Sequence, residues 1–171
     1  MRAEVKGTGS IMLTQPFAVY PKTEEIEIPD EPEVVPVDNT TAVIDNTDKV
    51  IYGLEEGVTD FSKFVKVTGD AQLSITPTEN GYGTGTVIDV IADGKIINTY
   101  KVIIFGDVDG DGYSNAYDSI AFQLYMSYNT EFSKEQLMSG DINNDGIIDE
   151  TDMIYSNLSG VFLYTIPQTR T

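Results

Sequence analysis

The segments GDVDGDGYSNAYD, from Gly106 to Asp118, and GDINNDGIIDETD, from Gly140 to Asp152, write one acidic pattern twice with their first aspartates 34 residues apart. Counted from that aspartate, the first copy carries Asp107, Asp109, Asp111, Asn115 and Asp118 at positions 1, 3, 5, 9 and 12. The second carries Asp141, Asn143, Asp145, Asp149 and Asp152 at the same places. Gly112 and Gly146 stand at position 6. Carboxylates this crowded repel one another unless a cation sits among them. A calcium ion takes roughly 6–8 oxygen ligands, and a twelve-residue loop can wrap it. Side chains at positions 1, 3 and 5 converge on the ion, and glycine at 6 permits the positive φ that doubles the chain back. Position 7 lends a backbone carbonyl, here from Tyr113 and Ile147, and position 9 acts directly or through water. Position 12 closes the cage from the first turn of a helix, where a carboxylate faces the positive helix end. One such match can be a chance Asp-Gly turn. Two, each complete to position 12, predict two bound Ca2+.

The rest of the composition points the same way. The chain has no Cys and no His, and its 28 acidic against 10 basic residues leave a formal charge of −18. Without thiols or imidazoles a metal must be held by oxygen, which suits calcium or magnesium. Strong negative charge argues against nucleic acid or anionic lipid as partner. No apolar run approaches the roughly 20 residues of a membrane-spanning helix, so no membrane insertion is expected. The start, MRAEVKGTGSIMLTQPF, lacks the long apolar core and clean cleavage site of a signal peptide.

Along the chain, GSIMLTQPFAVY reads as a strand and PKTEEIEIPDEPEVVPVDNT as an extended acidic, proline-rich linker, with a Pro-interrupted edge strand as the alternative. Residues 1–40 are therefore set apart. Residues 41–105 read as β: KVIYGL, AQLSITP and a hairpin turning at ADGK, with one helical turn at TDFSKFV capped by Thr59. These predict a small all-β, sandwich-like module. Residues 106–171 change character. A helix follows each acidic loop, NAYDSIAFQLYMSY after the first and ETDMIYSNL after the second, and TEFSKEQLMSG supplies a short helix between them, with Ser133 near its start. Spacing places Tyr117, Ala121, Leu124, Tyr125 and Tyr128 on one face of the first helix, with Leu124 read as core, and Met153, Ile154 and Leu158 on an inner face of the last. Gly160 ends that helix, and Val161, Phe162, Leu163 and Tyr164 are expected to fold back as a clasp.

A helix on both sides of the loop would make an EF-hand, but INTYKVIIFG before the first loop is strand-like. With the entering helix missing, each unit is a loop plus an exiting helix. On the two acidic motifs and their spacing, residues Gly106 to about Leu163 resemble a dockerin, and the strand-rich residues before them are similar to the X or immunoglobulin-like modules that precede some dockerins. The fold class implied is two domains, a small all-β sandwich-like module followed by an α-helical dockerin with two calcium loop-helix (F-hand) repeats. The resemblance implies a secreted, extracellular, monomeric, non-catalytic chain whose partner is a cohesin domain of a scaffoldin, attaching a parent protein to a cellulosome-like polysaccharide-degrading complex or cell-surface scaffold. A catalytic domain belongs elsewhere in such a parent.

The resemblance places partner contacts at Ala116, Tyr117, Gln123, Leu124 and Tyr128 after the first loop, and at Glu150, Thr151, Asn157, Leu158 and Phe162 after the second. The Ser-Thr pair common at positions 10 and 11 of dockerin loops is absent, and the two copies differ there. One dominant docking orientation is expected, rather than two related by a half turn. The alternatives are an EF-hand-like calcium sensor or structural module, and carbohydrate binding by the β module through Tyr52, Phe61, Phe64, Tyr82 and Tyr100.

Overall fold

The computed structural model describes residues 31–170, so the strand read in GSIMLTQPFAVY and the first part of the proline-rich segment lie outside the described residues. The chain then runs through seven strands, β1 (Val34–Pro36), β2 (Val43–Asp45), β3 (Val50–Tyr52), β4 (Val65–Val67), β5 (Ala71–Thr76), β6 (Val87–Ala92) and β7 (Lys95–Val102). Three helices follow, α1 (Ala116–Met126), α2 (Lys134–Gly140) and α3 (Glu150–Gly160). Strands before the first acidic loop and helices after it are what the patterning predicts.

Five strands form one sheet in the order β2-β3-β7-β6-β5, and β1 pairs with β4 in a second, two-stranded sheet. The β6–β7 hairpin turns on Asp93 (φ 50) and Gly94 (φ 70). Two successive positive φ values suit the right-handed twist of the flanking strands. Strand β3 runs parallel to β7, with Ile51 opposite Val102, and the Ile103 amide continues the pairing by donating to the Ile51 carbonyl at 2.8 Å.

Two details correct the sequence reading. Val34–Pro36, expected in the linker, is strand β1, with Val34 opposite Val67 and Pro36 opposite Val65. Val34 is buried, which supplies the driving force, and Pro36 sits on an edge strand, where a missing amide is tolerated. The helical turn is a 3₁₀ turn, Phe61–Lys63, capped by Asp60 rather than Thr59; the Asp60 carboxylate accepts from the Ser62 amide at 3.2 Å.

Side chains alternate across a strand, and here both faces of the central strands are covered. Ile51, Ile88, Val90, Tyr100, Val102 and Ile104 face a core closed by Val34, Leu54, Phe61 and Val65. Val50, Ile103 and Phe105 point the other way, into a second core with Val108, Phe122, Ile142 and Ile166. The strand-rich and helical regions therefore share a core. Phe61 and Tyr100 are fully buried, and Tyr52, Phe64 and Tyr82 are partly buried against the two cores.

In α1 the residue taken for core is wrong. Phe122 is fully buried while Leu124 is 45% exposed. Residues two positions apart in a helix are separated by about 200°, so Phe122 inward puts Leu124 outward. Ile154 is likewise 52% exposed, whereas its neighbour Met153 packs against the second core.

The tail folds back with Tyr164 as expected, but not with the three residues before it. Val161, Phe162 and Leu163 are exposed, and Phe162 has φ 58 at the turn out of α3. The clasp is made farther along. Tyr164 packs on Tyr155 with ring centroids 4.9 Å apart, and Ile166 is buried beside Gly106. Gln168 accepts from the Phe105 amide at 2.8 Å and donates to its carbonyl at 3.0 Å. The Arg170 guanidinium lies 4.0 Å from the Phe105 ring centroid and donates to the Met138 and Asp141 carbonyls.

Candidate metal loops and docking face

The two acidic loops share most of their hydrogen bonds. In the first, Asp107 at position 1 accepts the amides of Gly110, Asp111 and Gly112 at 2.7, 3.1 and 3.0 Å. Asp118 at position 12 reaches back to accept the amides of Val108, Asp109 and Asn115 at 2.8, 3.1 and 2.7 Å. In the second, Asp141 accepts from Asp145 and Gly146 at 3.0 and 3.1 Å, and Asp152 from Ile142, Asn143 and Asp149 at 2.8, 3.2 and 3.0 Å. Positions 4 and 6 have positive φ in both: Gly110 (80) and Gly112 (97), then Asn144 (60) and Gly146 (85).

The exiting helices begin the same way. Asn115 caps α1 and Asp149 caps α3, each accepting the amide two residues on, and each is completed by the aspartate at position 12, which makes both starts capping boxes. Position 12 thus closes the loop and starts the helix at once. Asp111 accepts from Tyr113 at 2.8 Å and from the Asn115 side chain at 3.1 Å, and Asn143 donates to Asp145 at 2.8 Å. Tyr113 and Ile147 expose their side chains, consistent with a role for their carbonyls alone.

Among the described residues, Asp107, Asp109 and Asp118 each bring a carboxylate oxygen within 4.8 Å of the others, close enough to share one metal ion. Burial pushes the Asp107 carboxyl up to about 7 and the Asp118 carboxyl up to about 8, the nearby carboxylates adding to the rise in each. Burial raises Asp109 and Asp152 as well. Charged forms held this deep call for a cation in contact. The all-oxygen donor set and its spacing fit calcium.

The expected partner residues lie on neighbouring helices. Helices α1 and α3 pack together, and Ser119 donates to the Asn157 side chain at 2.9 Å. Ala116, Tyr117, Gln123, Leu124, Tyr128, Glu150, Thr151, Asn157 and Phe162 are exposed, and Leu158 is half-buried. Tyr128, with φ 58, and Phe162 are each 96% exposed at the turns that end α1 and α3. Sequence reasoning passed over Ile120, placed Val161 in the clasp and assigned Ile154 inward. All three are more than half exposed, and Tyr117, Ile120 and Leu124 form an outer apolar stripe on α1. Their periodicity was legible; which stripe faces outward was not.

Residues 105–155 match the family model described as the dockerin type I domain, which covers both loops and ends inside α3. The match supports a dockerin in this segment, and the strand-rich residues before it are compatible with the small module expected there. No curated protein and no solved structure matches the chain.

Proposed function

We propose that the chain is a calcium-dependent docking protein whose dockerin, residues 106–171 with the tail, binds a cohesin domain of a scaffoldin through α1, α3 and the loop ends. Residues 41–105 act as the attached β module. The observation that carries this reading is the pair of equivalent loop-and-helix units, which present exposed apolar side chains on adjacent helices. In the first loop Asp107, Asp109, Asp111, Asn115, Asp118 and the Tyr113 carbonyl would hold one Ca2+. Asp141, Asn143, Asp145, Asp149, Asp152 and the Ile147 carbonyl would hold a second. The ion neutralises the buried carboxylates and so stabilises the loop ends from which both helices start.

Tyr117, Leu124, Tyr128 and Phe162 are the anchors, since large exposed aromatic and apolar groups dominate interface energetics. Positions 10 and 11 differ between the units, Ala116-Tyr117 against Glu150-Thr151, which favours one docking orientation. Dockerins are non-catalytic, and the parent's activity on polysaccharide, its attachment to a cellulosome-like complex and its extracellular place follow as parts of the same proposal. Among the described residues no helix is long and apolar enough to cross a membrane.

The test is a pull-down of a cohesin panel by this chain, with calcium and with chelator. Capture that chelator abolishes is the expected result. Absence of capture in both conditions, with calcium still bound, would favour the sensor or structural reading.

A further inference from the structure

The two loops share most of their internal bonds but differ in what holds them from outside. The segment between β5 and β6 wraps the first loop. The Thr84 amide donates to Asp107 at 2.8 Å, the Thr78 hydroxyl to the Gly110 carbonyl at 2.7 Å, and the Asn80 side chain to the Asp109 carbonyl at 2.5 Å. The approach is close enough that a Cβ on Gly83 would collide with the Asp107 carboxylate. The Gly57 amide adds a bond to the Gly112 carbonyl at 2.8 Å. From the other side, α2 donates through Ser139 to the Asp107 carbonyl and through Gln136 to the Val108 carbonyl, both at 2.7 Å. In the second loop the equivalent stretch, Asn143, Asn144, Asp145, Gly146 and Ile147, is exposed, and among the described residues no hydrogen bond from outside the loop reaches it. Arg170 reaches only the Asp141 carbonyl at its start.

We propose that Thr78, Asn80 and Thr84 of the strand-rich region are positioning residues of the first metal loop, so that this loop binds calcium more tightly and releases it more slowly than the second. The inference rests on the calcium reading above. A loop that must be ordered by its ion loses binding free energy to that ordering, whereas a loop already held in place does not. Positions 1, 3, 4 and 6 of the first loop are held through Asp107, Asp109, Gly110 and Gly112. Among the described residues the second loop is held from outside only at the Asp141 carbonyl, by Arg170, and its occupancy is the one that follows the surrounding calcium concentration.

The experiment is a calcium titration of the chelator-stripped full chain, following the backbone amides of Gly112 and Gly146 by NMR. These glycines stand at the same position of the two loops and report each separately. Gly112 should saturate at a free calcium concentration lower by about tenfold or more, as preorganisation predicts. Asn80→Ala removes an exposed donor, and Thr78→Val with Asn80→Ala removes two. Both should move the Gly112 midpoint toward that of Gly146 and leave Gly146 unchanged. Equal midpoints in the unaltered chain would overturn the inference while leaving calcium binding intact. So would an Asn80→Ala chain whose Gly112 titration is unaltered. If neither glycine responds to calcium, the calcium reading itself fails and this inference with it.

Discussion

Asp118 does three jobs with two oxygens. It accepts the Val108 and Asp109 amides, completes the Asn115 capping box, and lies within reach of Asp107 and Asp109 for a shared ion. Asp118→Ala should therefore destabilise even the calcium-free chain by about 1–3 kcal/mol, the typical cost of leaving a buried donor unmade. Denaturant melts in chelator would show this, and an unchanged midpoint would count against the account. The pH response follows from the raised carboxyls. A carboxyl whose folded pKa lies above its unfolded value favours the fold below the unfolded value, and that contribution is lost as pH rises through the folded one. For Asp107 and Asp118 the window runs from 3.8 up to about 7 and about 8. The melting temperature of the calcium-free chain should fall from pH 5 to pH 8, and saturating calcium should flatten the slope, because the ion takes the place of the protons. A calcium-free melting temperature that rises over that window would contradict this.

At the scale of elements, each helix divides its apolar side chains between an inner and an outer face. Phe122→Ala in α1 should cost about 3–5 kcal/mol, as for other buried aromatic truncations. Tyr117→Ala and Leu124→Ala on the outer face should leave the melting temperature almost unchanged and weaken cohesin capture. If instead they destabilise the fold and spare capture, the outer stripe is not the docking face. The tail divides similarly. Ile166→Ala should cost about 2–5 kcal/mol as a buried aliphatic truncation. Leu163→Ala should stay within about 0.5 kcal/mol, as surface substitutions do. Thermal melts of the two variants would separate a clasp made by Ile166, Gln168 and Arg170 from one made by the apolar run before them.

For the whole molecule, the second core decides how the chain unfolds. Reading residues 106–163 as a separate calcium-dependent unit leads to the expectation that chelation unfolds them and spares the strands. Val50, Ile103 and Phe105 of the strand-rich region share their core with Val108, Phe122, Ile142 and Ile166, so losing the helices strips one face of the five-stranded sheet. Calorimetry should show one cooperative transition, shifted down by chelator. Two transitions, only the later one insensitive to calcium, would restore the picture of separable parts.

What the sequence alone determined is what depends on local spacing. Oxygen donors at fixed offsets, a glycine where the chain must turn left-handed, and a cap three residues before an aspartate specify a loop and a helix start whatever surrounds them. The two acidic loops, the helices after them, the β6–β7 hairpin and the short helix behind Ser133 were all legible in this way. Facing was left to tertiary structure. The period of α1 is the same whether Leu124 or Phe122 points inward, and the run VIIF at Val102–Phe105 is apolar throughout because both faces of its strand are covered, a fact set by the parallel pairing with β3 and by the helices beyond. Residues far apart in the chain made that choice. They also brought Thr84 onto Asp107, giving two nearly identical loops two different surroundings.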